Sequence, residues 1–91
     1  SKFEQELAFV QSLASPAYLR HLAETSLLHD QALVAYLAYL RYWQSPEYAR
    51  FISYPASLLH LELLQNPAFR ADLINESVSK QLNDALYFDW L

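Results

Sequence analysis

The chain has 91 residues, 10 acidic against 6 basic side chains and a net charge of −4, so it has length for one domain and no excess of cations for a phosphate backbone. It contains no cysteine, which removes disulfides and the common structural zinc sites, and no charge-free run approaches a membrane span. Glycine is also absent, so phosphate-cradling loops, dinucleotide-binding turns and nucleophile elbows are missing in their usual forms, and tight glycine hairpins with them. Hydrophobic residues make up 54% of the chain and aromatics 15%, more than a domain of this size readily buries, so some apolar surface is expected to face a partner. The chain lacks methionine even at its first position and is read as a single domain over 1–91, trimmed or processed from a longer product.

The first helix is expected from about Phe3 to Ala14, with Phe3, Leu7, Val10 and Ala14 on one stripe and Phe9 and Leu13 beside it. Glu4 and Glu6 are expected on a solvated face. Ser15-Pro16-Ala17-Tyr18 then ends this helix and starts another. Serine is a good N-cap, proline is favoured at the first helical position, and the residue before proline avoids the α region. The same [Ser/Asn]-Pro-x-[Tyr/Phe] motif returns at Ser45-Pro46-Glu47-Tyr48 and Asn66-Pro67-Ala68-Phe69. Its uneven spacing marks recurring cap chemistry, not a solenoid repeat.

Helix two is expected from Pro16 to about Glu24. A loop over Thr25–His29 follows, and Asp30 caps a third helix that runs to about Gln44. The stretch YLAYLRYWQSPEY carries Tyr36, Tyr39 and Tyr42 three residues apart. On an α-helical wheel Leu33, Leu37 and Leu40 share one stripe with Tyr36 and Trp43 beside it. Each three-residue step drifts back by about 60°, so Tyr39 falls off the stripe and Tyr42 further still. With Ala32, Ala35 and Ala38 on the far side, only Asp30, Arg41 and Gln44 form a polar strip, and the helix has two faces to cover. Tyr39, Tyr42, Tyr48 and Tyr54 suit an interface, where an apolar ring keeps a wet hydroxyl.

Pro46–Ser53 reads as a short fourth helix, Pro55–Gln65 as a leucine-rich fifth and Pro67 to about Ile74 as a sixth. A last amphipathic segment, from Glu76 to Leu91, places Val78, Leu82, Leu86 and Trp90 at near-helical spacing, with Phe88 beside them. No segment alternates like a strand. The fold class is all-α, a compact bundle of about five to seven short helices, most started by [Ser/Asn]-Pro caps.

Catalytic chemistry finds no support. His21, His29 and His60 make no metal-ligand spacing and are expected at the surface or near caps. Ser12, Ser57 and Ser79 have no elbow or paired base. Glu62, set among leucines, is expected to point outward. No catalytic residue, metal or cofactor is expected.

The runs FEQELAFVQSLASPAYL, YLAYLRYWQSPEYARFISYP and LLHLELLQ closely resemble the family of subunit 31 of the Mediator complex, over about Phe3 to Phe69. The resemblance implies a small helical, non-enzymatic, nuclear subunit in the middle module of the transcriptional coactivator that serves RNA polymerase II. It implies binding to the extended, partly proline-rich N-terminal segment of Mediator subunit 7 and to other middle-module subunits, without direct contact to nucleic acid, membrane or a small-molecule substrate. The family pattern falls on Tyr36, Tyr39, Tyr42, Trp43, Pro46, Tyr48, Tyr54 and Pro55. From these, the expected partner-binding set is Tyr36, Tyr39, Tyr42, Trp43, Tyr48, Tyr54 and Pro55. The alternative reading is a self-associating bundle or a peptide-binding adaptor outside transcription.

Overall fold

The computed structural model describes residues 1–90, with the side chains at positions 79 and 81–90 left aside. The side chains of Leu82, Leu86 and Trp90 from the expected C-terminal stripe, and of Phe88 beside it, therefore lie outside what is described. The described residues form six α-helices, α1 Lys2–Ser12, α2 Pro16–Glu24, α3 Gln31–Tyr39, α4 Pro46–Ala49, α5 Ala56–Leu63 and α6 Pro67–Trp90. Two 3-10 segments, Leu27–His29 and Leu40–Gln44, join α2 to α3 and α3 to α4. No strand occurs among the described residues.

Side-chain caps start most of these helices by satisfying orphan amide donors. The Ser15 hydroxyl accepts from the Tyr18 amide at 3.2 Å, and the Asp30 and Asn66 side chains accept from the Ala32 and Ala68 amides, each at 2.8 Å. Ser45 behaves differently. Its hydroxyl donates back to the Tyr42 carbonyl at 2.9 Å, so it closes the preceding 3-10 turn while Pro46 opens α4. A serine beside an open carbonyl has this local alternative to capping forward.

Several boundaries differ from the sequence expectation, among them that of α4, which ends at Ala49 and not at Ser53. The third helix does not continue as an α-helix to Gln44 but tightens into 3-10 geometry at Leu40. The expected sixth helix and C-terminal segment are one helix, because nothing between Ile74 and Glu76 breaks the chain: Asn75 is a weak helix former but not a stop.

The core is built from Val10 and Leu13 of α1, Leu19 and Leu22 of α2, Leu37 and Leu40 at the α3 junction, Trp43, and Leu61 and Leu64 around α5. Each fully buried leucine contributes about 1.5–3 kcal/mol relative to exposure. Helix α2 packs on α6 and α1 on α5, while α4 sits against the Leu40–Gln44 segment. Polar ties fix the seams. His60, expected at the surface or near a cap, is half-buried and donates through Nδ1 to the carbonyl of Leu13, the C-cap of α1, at 2.6 Å. Gln65 donates to the Leu37 carbonyl at 2.8 Å, at the foot of the α-to-3-10 transition. Gln11 accepts from the Ser53 amide at 2.7 Å and pins the turn before α5 to α1.

Candidate functional site

The 3-10 segment decides where the tyrosines go. At three residues per turn, residues i and i+3 eclipse. Leu40 and Trp43 therefore both stay in the core, and Tyr39 and Tyr42 follow one another along a single edge instead of fanning round the helix. The rings of Tyr36 and Tyr39 stack at 6.0 Å with an interplanar angle of 17°, Tyr39 meets Tyr42 edge-on at 5.6 Å, and Tyr42 meets Tyr48 of α4 edge-on at 4.7 Å. Such offset and edge-to-face pairs add about 0.5–1.5 kcal/mol each beyond their burial.

Helix α1 forms the other wall. Lys2, Phe3 and Glu6 from its first turns line a shallow open depression of about 380 Å³ together with Tyr39, Tyr42 and Tyr48. Phe3 rests against Trp43 at 5.3 Å and Phe51 at 5.2 Å. The Arg50 guanidinium lies 4.6 Å from the centre of the Phe51 ring and extends the aromatic surface past α4. The Lys2 ammonium sits 5.4 Å from the centre of the Tyr39 ring. The Tyr39 side chain, with the charge of Glu6 behind it, holds that ammonium above the usual lysine range.

Glu6 is the unexpected member. The sequence reading put it on a solvated face, yet it is only 4% exposed. The Tyr42 hydroxyl donates to its Oε2 at 3.2 Å, and its Oε1 is buried without a partner. The cause is a rotation of the buried stripe, which runs Glu6, Val10 and Leu13, while Phe3 is exposed and Leu7 and Ala14 are only partly buried. The signal was present in the i, i+4, i+7 spacing of Glu6, Val10 and Leu13, but it pointed to burial of a charge, which is rarely correct without a partner such as Tyr42, 36 residues away.

Burial, then the Glu6 charge and hydrogen bond, push the Tyr42 phenol up to about 12, with the Trp43 indole N–H pulling weakly the other way. Burial and Glu6 also raise Tyr36. Both phenols therefore stay protonated at neutral pH and available as donors.

The expected partner-binding residues fall into three groups. Tyr36, Tyr42 and Tyr48 are half-buried, with edges towards the surface, and Tyr39 is 48% exposed. Trp43 is completely buried and forms the support beneath the ladder. Tyr54 is 60% exposed and Pro55 is exposed, but neither lines the depression. Lys2, Phe3 and Glu6 were missed by sequence reasoning because they belong to a helix remote in sequence from the tyrosine stretch. Glu62 does face outward, accepting from Gln44 at 2.8 Å and lying 3.7 Å from Arg41. Among the described residues no cluster of His, Cys, Asp or Glu could hold a metal ion, and no helix is long and apolar enough to cross a membrane.

Residues 1–91 match the family described as SOH1. The chain is 50% identical over its full length to "Mediator of RNA polymerase II transcription subunit 31" of Schizosaccharomyces pombe, covering 66% of that protein. It is 45% identical to the protein of that name from Taenia solium and 43% to that from Arabidopsis thaliana, over 98% of this chain in both cases and over 60% and 45% of those proteins. The chain thus spans about two thirds or less of these relatives, and within that span it belongs to the SOH1 family, that of subunit 31 of the Mediator complex.

Proposed function

We propose that the chain is a non-enzymatic scaffold subunit of the nuclear Mediator coactivator, and that the depression between α1 and the tyrosine ladder binds the extended, partly proline-rich N-terminal segment of Mediator subunit 7. The observation that carries this reading is the ladder itself: Tyr36, Tyr39, Tyr42 and Tyr48 form one continuous aromatic edge along an open depression, with Tyr39 half-exposed. A polyproline segment loses little entropy on ordering, packs its rings on aromatic faces and leaves its carbonyls free for phenol donors. Contacts to other subunits of the same module use the remaining apolar surface, of which Phe51, Tyr54, Leu59 and Leu63 are exposed parts.

The site residues in this reading are Tyr39, Tyr42 and Tyr48 as the contact edge, Tyr36 as its continuation, and Trp43 as the buried support. Tyr54 and Pro55 extend the contact beyond the depression. Isothermal titration of the purified chain with synthetic peptides spanning the N-terminal segment of subunit 7 tests the reading. Saturable binding by at least one peptide is expected. A folded chain that binds none of them overturns it.

A further inference from the structure

One polar atom in the depression has no use inside the chain. Glu6 lines the depression, Tyr42 satisfies its Oε2, and its Oε1 is buried with no donor. A buried acceptor on a charged group is costly to leave unpaired. The nearby cation does not meet the need, since the Lys2 ammonium lies over the ring of Tyr39 and Oε1 has no partner.

We infer that the partner segment places a non-proline residue over Glu6, whose backbone N–H donates to Oε1. The inference rests on the peptide-binding reading above and adds a rule to it. Proline has no N–H, so an uninterrupted proline run leaves this carboxylate unpaired. A cationic side chain would arrive beside Lys2 and meet a like charge, whereas an amide is neutral and slim. Lys2 and Phe3 share the depression and are exposed, so the docking segment meets them first and displaces them to reach the carboxylate. The phenols of Tyr39 and Tyr48 take partner carbonyls, and Glu6 takes one amide. This pairing of donors and acceptor fixes the register and direction of the bound segment, which stacking on rings alone does not.

The test uses the tightest-binding synthetic peptide of subunit 7, a set of its copies each N-methylated at one non-proline amide, and the wild-type and Glu6→Gln chains. N-methylation removes one donor while keeping an extended backbone. Glutamine still accepts from Tyr42 but can present an NH2 group where Oε1 stood. N-methylation at one position is expected to weaken binding to wild type by about 10-fold or more, the loss of one charge-assisted hydrogen bond. Glu6→Gln is expected to weaken the parent peptide comparably and to abolish sensitivity to that N-methyl group. Should Glu6→Gln not fold, amide exchange of the peptide bound to wild type decides, with one strongly protected non-proline amide expected. If no amide is singled out, or if the N-methyl effect persists in Glu6→Gln, the donor inference is overturned. If Tyr39→Ala weakens binding while Glu6→Gln and N-methylation do not, the groove reading stands and only this inference falls. If no peptide binds the folded chain, both fall.

Discussion

The Tyr42 hydroxyl and the Glu6 carboxylate, 36 residues apart, meet at 3.2 Å and tie the first helix to the end of the tyrosine stretch. Glu6 is buried and Tyr42 half-buried, so the bond holds a charge that would otherwise be buried with no donor at all. Tyr42→Phe keeps the ring and its contacts with Tyr39, Trp43 and Tyr48 but removes that donor. At 3.2 Å the bond is long for a charge-assisted one, so the expected cost is near the lower end for such bonds, about 1.5 kcal/mol. For a domain of this size that corresponds to a fall in Tm of roughly 6–12 °C, measurable by thermal melts followed by circular dichroism. No change in Tm would show that the bond is not formed in solution.

The same phenol gives a pH dependence with a defined sign. The pKa of Tyr42 is raised to about 12 by burial and Glu6, against about 10 in an unfolded chain. The folded state holds the proton more tightly, so its contribution to stability is complete below about pH 10 and is lost as pH rises towards about 12. Tyr36, also raised, adds in the same direction. Denaturant midpoints are therefore expected to decline between about pH 10 and 12, and less steeply in Tyr42→Phe. Ultraviolet difference titration of the native chain should show a late-ionising tyrosine that this variant lacks.

Exposure separates the binding edge from its support. Tyr39 is 48% exposed and Trp43 is wholly buried. Trp43→Ala is expected to cost about 3–5 kcal/mol and to threaten folding altogether. Tyr39→Ala is expected to cost about 1 kcal/mol of stability, the lower bound for loss of its two ring pairs at a half-exposed position, yet to weaken the subunit 7 peptide by about tenfold or more, as truncation of an aromatic anchor does. Paired melts and titrations check the split. Equal effects of Tyr39→Ala on both would place the tyrosine among the packing residues.

The all-α class and the helix starts at Pro16, Pro46 and Pro67 were legible because caps and hydrophobic spacing are local signals. The direction of Tyr42 was not. A wheel drawn at about 100° per residue assumes α geometry throughout, and the helix changes pitch at Leu40. That change is supported from a distance by Gln65, whose amide occupies the Leu37 carbonyl. The burial of Glu6 was hidden for the same reason: its partner lies on another helix. Local pattern located the aromatic half of the depression, and only long-range packing supplied the half formed by Lys2, Phe3 and Glu6.

Gln65 gives that argument a direct test. Its Nε2 donates to the carbonyls of Leu37 at 2.8 Å and Leu61 at 3.1 Å. Gln65→Leu preserves most of the volume and removes both bonds. The expected cost is about 1–2 kcal/mol, and the peptide affinity should fall with it if the 3-10 segment relaxes and the tyrosines lose their alignment. A stability loss with unchanged affinity would show that the segment keeps its pitch without this support.

Among the described residues, the absence of glycine leaves one strained backbone position. Ser26, just past the end of α2, has φ 64°, in the left-handed region that helix ends usually assign to glycine. A side chain there costs roughly 1 kcal/mol, part of which glycine would return to the unfolded chain as entropy. Ser26 makes no side-chain cap bond, so substitution removes no cap. Ser26→Gly is expected to stabilise the chain by about 0.5 kcal/mol, a rise in Tm of roughly 2–4 °C, while Ser26→Val should destabilise it by about 1 kcal/mol or more, since a β-branched residue tolerates this region poorly. The site is remote from the tyrosine ladder, so peptide affinity should be unchanged in Ser26→Gly. A destabilised Ser26→Gly would mean that the turn does not hold a positive φ in solution.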